Sequence, residues 1–234
     1  MRIDKYLANM KVGSRKEVHD LIKAKKVTVN GQLVKQAKQQ VADTDIVKVA
    51  DETIAYEQFH YFMLNKPAGV ITATEDPQQK TVLDLIEHKD RYQGLSPVGR
   101  LDKDTTGLLL LTNDGQLNHN LLSPKKHVAK TYFVELDYEV SDELIVNFAK
   151  GVTLADGTKV SPSQLKIDKS NKKQGFITIH EGKFHQIKRM FGLFDLGVVR
   201  LKRISMGNLS LDENLLLGKY RKLTKAEISA LKDS

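Results

Sequence analysis

A run of four leucines at residues 108–111 directly follows a charged segment, and this junction constrains the fold more than any other feature. The charged segment, residues 99–107, has the sequence GRLDKDTTG. The continuous apolar run predicts a buried strand, and the Asp-Gly pair at residues 114–115 is a turn signal beyond it. Side chains at the mouth of a buried strand are often functional. A carboxylate held there, from Asp102 or Asp104, is therefore a candidate nucleophile.

The residues alone leave other interpretations of this segment open. An Arg-x-Asp sequence commonly forms a surface ion pair. The DTTG sequence at 104–107 and the Asn-Lys pair at 65–66 imitate two elements of GTPases, but Ala68 stands where an acid is required. No loop ending in Gly-Lys-Ser or Gly-Lys-Thr occurs, which excludes a P-loop GTPase. Asp102 and Asp104 could point to the same face of an extended segment, so residue chemistry does not choose between them.

Length and composition exclude several classes of protein. A chain of 234 residues with 40% hydrophobic residues can form one sizeable domain and a small module. No segment resembles a signal peptide, and none approaches the roughly 18 apolar residues of a membrane span, so we expect a cytoplasmic protein without membrane contact. The absence of cysteine excludes disulfides, thiolate chemistry and cysteine-based zinc sites. The seven histidines show no metal-motif spacing, and we expect no metal.

The net charge of +8 is concentrated at the start of the chain. Residues 1–48 hold 11 Lys or Arg against 5 Asp or Glu, whereas the remaining 186 residues hold 26 against 24. This asymmetry predicts a polyanion-binding module attached to a nearly neutral body, because neutralised phosphates release counterions. A solvated basic face is the simpler alternative.

The order of local signals predicts an α+β protein of two domains. Residues 1–48 show two helical patterns, the second starting at a Ser14 to Glu17 capping box, and then a hairpin with an Asn-Gly turn at 30–31. Residues 49–60 carry three acids and no lysine, which predicts a linker before a domain spanning 61–234. Strands and helices alternate irregularly there, which favours α+β over a regular parallel array.

The first module resembles the RNA-binding module shared by a small-subunit ribosomal protein and bacterial tyrosyl-tRNA synthetases. The similarity is carried by RIDKYL at 2–7, Ser-Arg at 14–15 and VTVNG at 27–31. It implies binding of structured RNA. The candidate RNA contacts are the basic side chains on or beside its helices: Arg2, Lys5, Arg15, Lys16, Lys23, Lys25 and Lys26.

The second domain resembles the pseudouridine synthases, which turn uridine within RNA into its carbon-linked isomer. The sequence GRLD followed by Thr-x-Gly, within residues 97–115, is similar to the branch typified by the small-ribosomal-subunit enzyme RsuA. This resemblance places Asp102, rather than Asp104, at the nucleophile position. It also implies a catalytic domain built on a mixed, mostly antiparallel sheet with flanking helices.

Two further motifs of the family have counterparts. The KTY sequence at 130–132 implies that Tyr132 is the family's tyrosine, although strand alternation shows only that Tyr132 or Phe133 faces the cleft. The EGKFHQIKRM sequence at 181–190 implies that Lys188 is the cation beside the nucleophile, where a related branch usually has arginine. A solvated helix face is the alternative. The remaining candidates for RNA binding are Arg100, Lys130 and Arg189, whereas His185 is expected to be structural or to face RNA rather than to bind a metal.

The chemistry needs an ionised carboxylate, a cation that keeps it ionised and an aromatic ring that stacks on the extruded base. Attack on the base, attack on the sugar and abstraction of a sugar proton all require the anion of Asp102. The resemblance implies a cofactor-free enzyme that modifies ribosomal RNA, 16S foremost and 23S as the alternative.

The expected partner of this enzyme is ribosomal RNA or an assembling small subunit, and the expected state is a monomer. A non-catalytic RNA-binding or ribosome-assembly protein is the alternative of another class. A glycoside hydrolase would need two acids roughly 5 to 10 Å apart and would gain nothing from a basic module.

Overall fold

Two structural units make up the computed structural model, which describes residues 1–42 and 44–234. The first unit contains Met1–His60 and Glu87–Gly94, and the second contains Tyr61–Ile86 and Leu95–Ser234. The chain therefore returns to the first unit at Glu87–Gly94, a feature that no sequence pattern indicated. The domain limits inferred from sequence, including a linker at 49–60, stay a prediction.

The first unit is built from two helices and four short strands. The elements are α1 (Ile3–Asn9), α2 (Arg15–Lys23), β1 (Val27–Val29), β2 (Gln32–Leu33), β3 (Val47–Val49) and β4 (Glu52–Thr53). The strands form an antiparallel sheet in the order β2-β1-β3-β4. One strand, β4, lies within the segment 49–60 that was predicted as a linker. It pairs with β3 and so extends this sheet.

The predicted local signals of this unit are present. Ser14 and Glu17 form the capping box, with the Ser14 amide donating to the Glu17 carboxylate at 2.7 Å. Asn30 and Gly31 both have positive φ, 50° and 79°, as a two-residue type I′ hairpin turn requires. Apolar side chains of α1, α2, β1 and β3 share one buried core, so the two helices pack on the sheet.

The second unit contains the remaining strands and helices. They are β5 (Tyr61–Lys66), β6 (Ser96–Pro97), β7 (Thr106–Thr112), α3 (Gly115–Leu122), β8 (Lys130–Leu136), α4 (Asp142–Lys150), β9 (Val152–Thr153), β10 (Lys159–Val160), β11 (Gln164–Ile167), β12 (Gln174–Ile179), α5 (Gln186–Gly192), β13 (Val198–Met206), β14 (Leu209–Ser210), β15 (Tyr220–Lys222) and α6 (Lys225–Lys232). Short 3₁₀ turns lie at Val82–Leu85, His88–Asp90 and Pro124–Lys126, the second of them in the first unit.

The main sheet has nine strands and follows the order β11-β12-β8-β13-β7-β5-β15, with β14 and β6 paired to β13 and β7. Every pairing is antiparallel except that of β13 with β7. The predicted α+β class and the mixed, mostly antiparallel sheet with helices are thus confirmed.

The leucine run forms the buried centre of this sheet. Leu108, Leu109, Leu110 and Leu111 are at most 1% exposed, which confirms the predicted buried strand. Side chains of β5 and β7 pack into one apolar cluster with residues of α3 and α6. Both faces of β7 are covered, which explains why its sequence is a continuous apolar run rather than an alternating one.

Gly107 allows β7 and β13 to approach each other. Its φ is +99°, and a Cβ atom built there would overlap the backbone carbonyl oxygen of Arg203. Glycine is required at this position both for the conformation and for the space. In the described part of the chain, no helix is long and apolar enough to cross a membrane.

Candidate active site

The loop that carries Asp102 lies just before β7 and is anchored by the buried ammonium group of Lys66. The Lys66 Nζ atom donates to the backbone carbonyls of Pro67 (3.0 Å), Asp102 (3.1 Å), Lys103 (3.3 Å) and Thr105 (3.0 Å). Burial lowers the pKa of Lys66 to about 8, and the carboxylates of Asp104 and Asp102 oppose this decrease. The ammonium form therefore predominates at pH 7 and holds the loop from beneath.

Asp102, Tyr132, Lys188 and Arg100 line one small pocket of about 80 Å³. They come from the loop before β7, from β8 and from α5. Side chains alternate along β8, so Tyr132 is buried while Phe133 lies on the other face, edge-on to Phe176. The pocket wall is thus formed by Tyr132 and not by its neighbour, a choice that the sequence pattern left open.

Lys188 lies between two carboxylates. Its Nζ atom is 2.6 and 2.7 Å from the two carboxylate oxygens of Asp104, and 3.6 Å from Oδ2 of Asp102. The hydrogen bond from Lys188 lowers the pKa of Asp104, against a smaller opposing effect of burial. Lys188 is therefore bonded to Asp104 and makes only a longer electrostatic contact with Asp102.

His185 stands on the other side of Asp102. Its Nε2 atom is 3.5 Å from Oδ1 of Asp102, and its ring stacks on Phe184 with centroids 3.9 Å apart. The backbone of His185 is left-handed, with φ of 47°, and α5 begins only at the next residue. The helix cannot start earlier, because left-handed backbone does not continue an α-helix.

The three basic residues predicted near the catalytic pocket differ in their surroundings. Arg100 is exposed and lines both the pocket and an adjoining cleft of about 850 Å³. Lys130 is buried, donates to the carbonyl of Val128 at 3.0 Å, and has a pKa lowered first by burial and then by Arg203. Arg189 pairs with Asp156 at 2.5 Å and is not among the described residues lining the pocket or the cleft.

Lys130 also lines the adjoining cleft, although its Nζ atom is bonded to a carbonyl. Arg189 is paired with a carboxylate. The assignment of both residues to RNA binding stays a prediction.

The predicted cations of the first unit are all on its surface. They are Arg2, Lys5, Arg15, Lys16, Lys23, Lys25 and Lys26. Arg2 forms an ion pair with Asp4, in which Nη2 of Arg2 is 2.6 Å from Oδ2 of Asp4. Arg15, Lys16 and Lys23 lie on α2 and are exposed.

The sequence reasoning missed the part played by Lys66 and the bond between Asp104 and Lys188. A signal for Lys66 was present, since a lysine at the end of an apolar strand and before Pro67 is an unusual place for an unpaired charge. The bond to Asp104 joins residues far apart in the chain and leaves no local pattern.

Comparison with known proteins shows the family of the chain. Residues 60–192 match the family model described as RNA pseudouridylate synthase. The chain belongs to the RNA pseudouridine synthase family. Residues 1–47 of this synthase match the family model described as S4 domain. This segment is therefore a small module of the RNA-binding type.

Individual relatives span the whole chain. The synthase is 48% identical over 236 residues to a protein of Bacillus subtilis (strain 168) named as the uncharacterized RNA pseudouridine synthase YtzG, covering 100% of this chain and 99% of that protein. It is 40% identical to the ribosomal small subunit pseudouridine synthase A of Salmonella typhimurium, with 99% and 100% covered. The Escherichia coli (strain K12) protein of the same name is 38% identical, with 99% and 100% covered.

A solved structure has the same architecture. The crystal structure of a pseudouridylate synthase superposes with a TM-score of 0.70 and 37% identity, and 99% of each chain is covered. The enzyme is thus an isomerase of the pseudouridine synthase class.

Replacement of Lys66 by Met should destabilise the enzyme by about 3 kcal/mol, because four backbone carbonyl oxygens, that of Thr105 in a buried bond, would lose their shared donor. Urea denaturation followed by circular dichroism would measure the change. Lys103→Met is the control, since Lys103 is exposed and its loss should change stability by less than about 0.5 kcal/mol. Equal stability of the two variants would contradict the anchoring role.

Proposed function

We propose that this synthase isomerises uridine to pseudouridine in 16S ribosomal RNA, with Asp102 as the catalytic carboxylate. Tyr132 stacks on the target base, and Lys188 is the cation that favours the ionised carboxylate. One observation carries the proposal: three elements that are far apart in sequence bring Asp102, Tyr132 and Lys188 to a single pocket. The roles of the three residues follow from their chemistry and positions.

The reaction must break the bond between the sugar and the base nitrogen, rotate the base and rejoin the two through carbon. The half-buried carboxylate of Asp102 lies at the pocket, between Lys188 at 3.6 Å and His185 at 3.5 Å. A nearby positive charge favours a carboxylate anion, which every route for the nucleophile requires. The buried ring of Tyr132 offers an aromatic wall for a base taken out of its stack.

The relatives support the identity of the RNA, and the first unit supports binding of RNA in general. Relatives at 38% and 40% identity over nearly the whole chain are named for the small ribosomal subunit. The exposed cations of α2 offer phosphate contacts that do not depend on sequence. On this proposal the enzyme acts as a monomer on 16S rRNA, free or within an assembling small subunit.

Mapping of pseudouridine by reverse transcription, in cells with and without the gene, tests this assignment. Loss of one pseudouridine from 16S rRNA is the expected result. Loss of a pseudouridine from 23S rRNA alone would show that the substrate is 23S rRNA and that the reaction is the one proposed. If all pseudouridines of both RNAs were still present in cells without the gene, a non-catalytic RNA-binding protein would be favoured instead.

Asp102→Asn should abolish pseudouridine formation, because it keeps the shape of the side chain and removes the anion. Binding of 16S transcript should survive. Asp104→Asn is the matched control two residues away, and it should retain turnover because its remaining carbonyl oxygen can still accept from Lys188. Tritium release from labelled transcript would measure both rates. Turnover by Asp102→Asn at more than about one hundredth of the normal rate would refute the assignment.

Lys188→Met should slow the reaction strongly at pH 7. The reason is that the Asp102 anion loses a nearby positive charge. Lys188→Arg should restore much of the rate, since it keeps that charge. Single-turnover rates at pH 7 would measure the effect of both variants. A normal rate in the Lys188→Met variant would show that Lys188 has no role in the reaction and only forms a structural ion pair with Asp104.

Neutralising three cations of α2, Arg15, Lys16 and Lys23, to Gln should weaken RNA binding and flatten its salt dependence. Each lost phosphate contact lowers the slope of log affinity against log salt by about 0.7–0.9, so a change of about 2 to 3 is expected. Fluorescence anisotropy with 16S transcript at several salt concentrations would measure the slope.

The matched control for this experiment removes three exposed cations from the second unit, Lys166, Lys169 and Lys172. It should leave the slope nearly unchanged. A larger effect of the control triple would show that the second unit, rather than the first, docks the RNA.

A further inference from the structure

Phe184 and His185 form a stacked pair of rings beside the catalytic pocket. The ring centroids are 3.9 Å apart and the planes differ by 18°. Phe184 is 70% exposed, so the ring face turned away from His185 is open to solvent. Single exposed apolar side chains are ordinary and carry no conclusion by themselves. The surroundings of this pair distinguish it from such cases.

The backbone beneath the pair is unusual. His185 has φ of 47°, a conformation that a non-glycine residue adopts at some energetic cost. In this conformation its ring lies between Phe184 and Asp102, with Nε2 at 3.5 Å from the Asp102 carboxylate. The nucleophile candidate, the imidazole and the phenyl ring therefore follow one another from the pocket outwards.

The cleft next to the pair has the lining that a nucleotide needs. Phe184 and His185 both line the cleft of about 850 Å³ that adjoins the small pocket. Two exposed cations, Arg100 and Lys103, lie on the same cleft, while Ile71 and Pro124 contribute apolar surface. Cations that follow the backbone and an aromatic face for the base are the usual components of a single-strand RNA site.

We propose that the Phe184–His185 pair is a stacking platform for an unpaired base that neighbours the target uridine. The proposal rests on the proposed function, because it places the uridine at Asp102. The small pocket at Asp102 receives the extruded base on this proposal, and the adjoining nucleotide then needs separate support because its stack is broken. His185 backs the platform, and Phe184 supplies the open face.

The test compares Phe184→Ala, Phe184→Leu and Phe184→Tyr with the wild-type full-length enzyme. Single-turnover rates on unmodified 16S and 23S transcripts are measured against enzyme concentration. Phe184→Ala should raise the concentration for half-maximal rate about 5- to 100-fold, the range expected for loss of one base–aromatic stack. The maximal rate should change less than this. Tyr should restore the wild-type value, and Leu should not, since it is apolar but has no ring.

Tyr138→Ala is the control, because Tyr138 is an exposed aromatic residue outside the described lining of the pocket and the cleft. It should behave as the wild type. A Phe184→Ala variant equal to the wild type, full rescue by Leu, or an equal loss in Tyr138→Ala would each overturn the platform. Absence of pseudouridine formation by the wild-type enzyme on both RNAs would instead refute the proposed function itself.

Discussion

The buried ammonium of Lys66 determines where the candidate nucleophile stands. Strand β5 ends at this residue, and β5 pairs with β7, so the side chain reaches beneath the loop that precedes β7. By binding the carbonyls of Asp102, Lys103 and Thr105, it fixes the backbone of the loop. Asp102 on this loop lines the pocket. A desolvated charge is costly, and here its hydrogen bonds to four carbonyls offset that cost.

The charges at the pocket are distributed so that Asp102 keeps its oxygens accessible. Asp104, whose side chain is 70% exposed, takes the short bonds from Lys188, while the 29% exposed Asp102 has only contacts of 3.5 and 3.6 Å. A second carboxylate thus fixes the ammonium in place. The cation can act on Asp102 through its field without occupying the lone pairs that a substrate would meet.

Local features of the fold could be predicted from sequence because they depend on neighbouring residues. The leucine run, the capping box at Ser14 and the Asn-Gly turn each define a structure within a few residues, and each is present. The start of α5 could not be predicted, since the left-handed residue before it is a histidine and not a glycine that would signal this conformation. The return of the chain to the first unit at Glu87–Gly94 likewise depends on distant packing.

The candidate site shows the same division. The motifs gave Asp102, Tyr132 and Lys188, which do meet in one pocket, and their catalytic roles remain predictions. Lys130 and Arg189 stay predicted RNA contacts. The sequence showed their charges but not the burial of Lys130 or the carboxylate partner of Arg189. Asp104 was seen only as a rival of Asp102, since its bond to Lys188 spans much of the chain.

Strand β13 lies between β7 and β8 in the sheet, although it follows both of them in the chain by many residues. The strand leading from Asp102 and the strand bearing Tyr132 are therefore joined only when Val198–Met206 has been inserted between them. Such long-range pairing forms slowly and late. During synthesis on the ribosome, the first unit can fold as soon as it emerges, whereas the pocket stays unassembled until the chain is almost complete. A nascent chain of this enzyme would then be able to hold RNA well before it could modify it.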